Sequence, residues 1–168
     1  MTSSVGCATK TGIDALPGYF ATRCGVTNET ETQRMQSWLG RQDVDELAIS
    51  DWVATEFSSA LSIKLRTGQI RAAHRADALA LFARLGTDSL TIVAVSRLQF
   101  RTAARFADQY ELGLRAGDAL HLAICADLGA TLCTLDRRLS DAGSALGVKT
   151  ILLYTRCLSG GTVHRGCS

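Results

Sequence analysis

Two neighbouring stretches decide the fold. They are Leu114-Arg115-Ala116-Gly117-Asp118-Ala119-Leu120-His121-Leu122-Ala123 and Thr131-Leu132-Cys133-Thr134-Leu135-Asp136-Arg137-Arg138-Leu139. The first reads as a helix from Asp118 to Leu128, stopped by Gly129. Ala130 to Thr134 (ATLCT) is a short apolar run of the kind that forms a strand buried on both faces. Arg137 to Leu146 is a short helix closed by Gly147, and Val148 to Leu153 (VKTILL) is a further strand. Strands separated by helices imply crossover connections, hence neighbouring strands that run parallel.

The same alternation extends towards the N-terminus. Leu90 to Val95 (LTIVAV) is a near-continuous apolar, β-rich run, expected to be buried on both faces, and a helix follows from about Arg97 to Tyr110. Glu46 to Ser50 (ELAIS) is a short strand. Ser50 and Asp51 are N-cap candidates for a helix running to Arg66 and closed by Gly68. Val53, Phe57, Leu61 and Leu65, four apart, give that helix one buried stripe. A second helix is expected from Gln69 to Leu85, with Gly86 as its stop, and Thr30 to Leu39 carries Met35, Trp38 and Leu39 at helical spacing. The expected architecture is α/β, three layers (α/β/α) around a mainly parallel central sheet. Its functional crevice should lie at the carboxyl ends of the strands.

The ends of the chain read differently. Residues 1–28 are rich in Gly, Thr, Ser and Cys and sustain neither period; Gly18-Tyr19-Phe20-Ala21 is the best short apolar candidate, and no strand is assigned. The division is therefore an atypical or disordered segment at 1–28, a domain at 29–153 and a flexible tail at 154–168.

Composition excludes several classes. The chain of 168 residues is 46% apolar and 20% charged, which suits one globular domain and argues against disorder. A net charge of +2 without a polybasic run does not announce nucleic acid through bulk charge; RNA would need a local arginine-lined surface, and arginine far exceeds lysine here. No two of the six cysteines stand at C-x-x-C spacing, and Cys125 and Cys133 lie in apolar runs as small buried residues. No apolar stretch approaches the roughly 20 residues that span a bilayer. Met1 to Lys10 lacks the charged-then-apolar pattern of a leader, so the expected location is the cytoplasm. Neither G-x-G-x-x-G nor G-x-x-x-x-G-K occurs.

Three carboxylates stand out. Asp136 directly follows a buried strand, and Asp118 and Glu56 fall in the first turns of helices, where backbone N–H groups favour an anion. Each alone also fits a structural role: Asp118 as a helix cap, Asp136 as a turn or cap residue, Glu56 as a solvated helix residue. Their joint placement at one edge of a parallel sheet is what points to a site.

The segment Leu114–Ala123 with Thr131–Leu139 resembles the C-terminal half of a VapC-type PIN domain, with an aspartate in D-A-L-H and a second about eighteen residues on in T-x-D-x-x-L. Ala54-Thr55-Glu56-Phe57 resembles that family's earlier, glutamate-bearing helix, and the resemblance spans Glu29 to Leu153. It implies a ribonuclease toxin of a toxin–antitoxin module that uses Mg²⁺ or Mn²⁺. Asp118, Glu56 and Asp136 would be the catalytic, metal-holding residues, and Thr134 would brace the site. Hard oxygen donors suit these ions. RNA as substrate, a cognate antitoxin and a homodimer are implied with it. His121, one turn past Asp118, is read as a packed or surface histidine rather than a catalytic one.

One element of the pattern is missing. The family's first strand ends in an aspartate, of the form Y-x-D-T-S, whereas Tyr19-Phe20-Ala21-Thr22-Arg23 has alanine at the acidic position. The preferred reading is a shifted or degenerate segment that rejoins the pattern near Thr27; the alternative is that Asp14 takes the role, although Pro17 and Gly18 interrupt any helix after it. A catalytically impaired module that binds antitoxin or RNA without cutting is thus the second functional reading. A signalling receiver is a poor third, because Lys149 lies inside the last strand rather than after it.

Overall fold

In a computed structural model the described residues are 11–13, 41, 47–88 and 90–153. Five strands form one sheet: β1 (Thr11–Ile13), β2 (Leu47–Ser50), β3 (Thr91–Val93), β4 (Thr131–Thr134) and β5 (Thr150–Leu152). Their order across the sheet is β3-β2-β1-β4-β5 and every pairing is parallel. The α/β class and the parallel sheet expected from the alternating pattern are therefore observed. β2 and β4 are buried at every position, so both faces of the sheet are covered beside its centre.

The central strand is β1, and it lies within the segment to which no strand was assigned. Thr11-Gly12-Ile13 is too short to show a period, and its identity as a strand comes from pairing with β2 on one side and β4 on the other. It ends one residue before Asp14. That residue, the Tyr19–Arg23 motif, the expected helix at Thr30–Leu39 and the tail from Tyr154 lie outside the described residues.

Helix α1 (Asp51–Arg66) starts directly after β2 and buries Val53, Phe57 and Leu61. The Phe57 ring stacks on Phe82 of α2 (Ala72–Asp88), with centroids 4.6 Å apart. α2 begins three residues later than expected because Thr67, Gly68, Gln69 and Ile70 direct their N–H groups to carbonyls of the last turn of α1 and so cap it. Gly86 does not stop α2. A Cβ there would come 3.3 Å from Ile92 Cδ1, so the glycine lets the helix approach β3.

Helix α3 (Arg97–Ala107) opens with a capping box between Ser96 and Gln99, a signal not read from the sequence. It ends before the expected Tyr110, where a 3-10 turn (Tyr110–Leu112) takes over. Helix α4 (Ala116–Leu128) starts two residues before Asp118 and is buried without interruption from Ala119 to Cys125, as befits the innermost helix. Its last turn leads through Gly129, at φ 62°, straight into β4. Helix α5 (Arg137–Ala145) follows β4.

The core forms three connected packets. Leu47 and Ile49 of β2 join α1 and α2; Leu132 of β4 joins Leu122 and Leu139; Ala103 of α3 joins Ala119 and Ala123. The expectation that the Leu90–Val95 run is buried on both faces is corrected: β3 is an edge strand, and Ile92 is 52% exposed. Cys125 and Cys133 are buried, as expected of small core residues. Burial, and to a lesser extent the neighbouring Cys125, pushes the Cys133 thiol up to about 12, so it carries no thiolate chemistry at neutral pH. Among the described residues, no helix is long and apolar enough to cross a membrane.

Candidate active site at the carboxyl edge of the sheet

All five strands point the same way, so their carboxyl ends share one edge. α1 and α5 begin there because they follow β2 and β4 with almost no linker. α4 begins there as well. Its C-terminus enters the amino end of β4 across two residues, and thirteen helical residues rise about 20 Å, enough to return to the opposite edge. Three helix N-termini thus meet at the edge where Glu56, Asp118 and Asp136 were expected.

Glu56 leaves α1 towards α4. Its Oε2 lies 2.7 Å from Nε2 of His121, a buried residue, whereas the Glu56 side chain is about a third exposed. Its Oε1 lies against Gly117: a Cβ added there would come within 2.5 Å of it. Burial raises the Glu56 pKa, but the hydrogen bond and charge of His121, aided by the Trp52 indole, outweigh it. The carboxyl is left below its ordinary value of 4.5. Trp52 Nε1, also near Gly117, is buried without a hydrogen bond of good geometry. Ser50 is the N-cap of α1 by position, yet its Oγ makes no cap bond and is buried without a partner among the described residues.

Asp118 occupies the third position of α4, partly buried, with Oδ2 accepting the Arg115 backbone N–H at 3.1 Å. Asp136 is exposed and is the N-cap of α5: its Oδ1 accepts from the N–H groups of Arg138 at 2.8 Å and Leu139 at 3.4 Å. The buried Thr134 hydroxyl accepts the Asp136 N–H at 3.0 Å and so fixes the turn that presents this carboxylate. Arg138 reaches back, and its Nη2 donates to the Gly113 carbonyl at 2.9 Å. That bond ties the start of α5 to the loop entering α4, as the Glu56–His121 pair ties α4 to α1.

The structure therefore joins Glu56 directly to Gly117 and His121, the residues that flank the position of Asp118 in α4, and sets Asp136 at the start of α5, which Arg138 ties to the loop before α4. Among the described residues, no three of His, Cys, Asp and Glu gather as a metal-holding group. The chemistry of the surroundings nonetheless fits an oxygen-bound divalent ion. Asp118 Oδ1 and Asp136 Oδ2 are not used in hydrogen bonds among the described residues. Ser50 Oγ is buried at the start of α1 with no partner among the described residues, and buried polar groups are ordinarily satisfied by protein, water or an ion. Sequence reasoning missed His121 as part of this edge. Its only signal was the Asp118-to-His121 spacing, which puts both on neighbouring turns.

A parallel α/β sheet with acidic helix starts at its carboxyl edge defines a class, and sequence comparison names it. The PIN domain family matches residues 25–144, more than half of the chain, and the protein belongs to that family. No curated protein matches the sequence. Two solved structures share the fold at low identity. A chain of FitAcB from Neisseria gonorrhoeae superposes with a TM-score of 0.62 at 13% identity, over 85% of this chain and 97% of that one. A chain of FitAB bound to the IR36 DNA fragment gives 0.60 at 11% identity, over 89% and 99%.

Proposed function

We propose that this PIN domain is a metal-dependent endoribonuclease, the toxin of a toxin–antitoxin module. The observation that carries the reading is the meeting of Glu56 with the first turns of α4, beside Asp118, at the carboxyl edge. Asp118 and Glu56, with Asp136 at the adjoining corner, would hold Mg²⁺ or Mn²⁺, directly or through water. Such an ion lowers the pKa of bound water and stabilises charge on a phosphate.

The remaining work falls to the chain itself. Arg115 N–H holds one oxygen of Asp118 and leaves the other to a ligand; the Arg138 and Leu139 N–H groups do the same for Asp136, whose own backbone N–H is fixed by the Thr134 hydroxyl. Arg115 and Arg137 are exposed and adjoin Asp118 and Asp136 in their helix starts, and among the described residues Arg137 makes one long ion pair, 3.8 Å from Asp141, so both are available to phosphates of an RNA strand. Asp14, the residue after central β1 in the sequence, is the proposed replacement for the acid absent at Ala21. A cognate antitoxin and a homodimer belong to the same proposal. One similar structure is of FitAB bound to a DNA fragment, which supports a protein partner, and the homodimer rests on the resemblance to VapC-type PIN domains.

A second reading is a module that binds antitoxin or RNA without cutting; the alanine at position 21, where the resemblance expects the first acid, favours it. The deciding experiment is cleavage of a mixed RNA pool by the purified protein with Mn²⁺, beside Asp118→Ala and an EDTA control. Cutting that needs metal and vanishes in the variant supports the nuclease. A folded protein that cuts nothing leaves the binding module. Asp14→Ala then tests the fourth carboxylate.

A further inference from the structure

The residues that grip Glu56 both come from one face of α4. Gly117 and His121 stand four apart, so they lie one above the other, and Asp118 is the next residue after Gly117. Nε2 of His121 engages Oε2 at 2.7 Å, and the bare backbone of Gly117 receives Oε1, which an added Cβ would force to move. Both oxygens are thus set by α4 although the carboxylate belongs to α1. An imidazole buried in an apolar helix loses its hydration, which a hydrogen bond to a carboxylate offsets, so the pair has one favoured geometry. The glycine adds a second constraint. Glycine is poor in a helix, by about 1 kcal/mol relative to alanine, so its presence at this position is explained by the close approach.

We propose that His121 and Gly117 are positioning residues. They fix the Glu56 carboxylate beside Asp118 so that the two can share one divalent cation. The proposal rests on the reading of Glu56 and Asp118 as metal-holding, and it assigns His121 no contact with substrate.

The test is Mn²⁺ binding to the full chain, followed by electron paramagnetic resonance, for the wild type, Asp118→Ala, His121→Leu, His121→Gln and Gly117→Ala. Glutamine can still offer an N–H to Glu56, and leucine cannot. Loss of a residue that orients a ligand typically weakens metal affinity about 10–100-fold, expected for His121→Leu and Gly117→Ala, with His121→Gln within about threefold of wild type. Wild-type affinity in His121→Leu, or equal losses in the leucine and glutamine variants, would overturn the positioning role. Gly117→Ala, which improves helix propensity, gives an independent answer if His121→Leu folds poorly.

A wild-type chain that binds no Mn²⁺ would overturn the metal reading. Failure of the grip itself is told apart by melting in EDTA. A drop in Tm for Glu56→Gln and His121→Leu that is non-additive in the double variant supports the grip, and additive drops overturn it.

Discussion

Two corners of the same edge present carboxylates in opposite ways. At the α1–α4 corner, Glu56 is held between a buried histidine and a glycine, above the continuous core of α4. At the α5 corner, Asp136 is exposed and spends one oxygen on two backbone N–H groups. The first arrangement is built from residues 65 positions apart and depends on helix packing; the second is local and would exist in almost any helix preceded by this turn. The comparison teaches that a carboxylate which caps a helix has only its second oxygen free for a ligand, whereas one gripped from another element is fixed by packing beyond its own helix.

The contrast can be broken or sharpened by substitution. The largest effect is expected beneath the first corner. Leu122 is fully buried, and Leu122→Ala should cost about 2–5 kcal/mol in urea unfolding. A cost below that range would mean that α4 is not the rigid platform described. Next, Glu56→Ala removes the carboxylate that a buried imidazole engages, which should cost about 1–3 kcal/mol by the same measurement. Asp136→Ala removes only a cap and should cost about 1 kcal/mol, whereas Asp136→Asn keeps the cap with almost no change in stability. If Asp136→Asn nonetheless abolishes Mn²⁺ binding, the second oxygen is a ligand; if binding is unchanged, Asp136 is a cap alone.

The smallest effect concerns pH. Glu56 titrates below its ordinary 4.5 in the folded chain, so its pairing stabilises the fold fully above that value and is lost as pH falls through the lowered pKa. The Tm gap between wild type and Glu56→Gln should therefore shrink from about pH 6 to about pH 3. A gap that widens on acidification would contradict the pairing.

Legibility varied with how local the signal was. The stripe of Val53, Phe57 and Leu61 and the stop at Gly129 were readable, and α1 and α4 end where expected, but Leu65, expected as the fourth member of the stripe, is exposed in the last turn of α1. The strands show the limit. Ile92 sits in a more apolar run than Leu132, yet it is 52% exposed and Leu132 2%, because one strand lies at the edge of the sheet and the other beside its centre. Apolar composition reports the tendency to form a strand, not its rank in the sheet. β1 was invisible for the reverse reason: three residues, one of them glycine, carry no period, and only two partner strands make them central.

The sequence alone determined the class of the fold and its helix–strand alternation, and it singled out three carboxylates as candidates for a site at the carboxyl edge of the sheet. Those properties are written in spacing, caps and breakers within a few residues of one another. Only the tertiary structure decided the order of the strands and the pairing of Glu56 with His121 across the α1–α4 contact. The spacing of Gly117 and His121 along one helix announces neither, because a glycine and a histidine four apart become a clamp only when another helix brings a carboxylate between them.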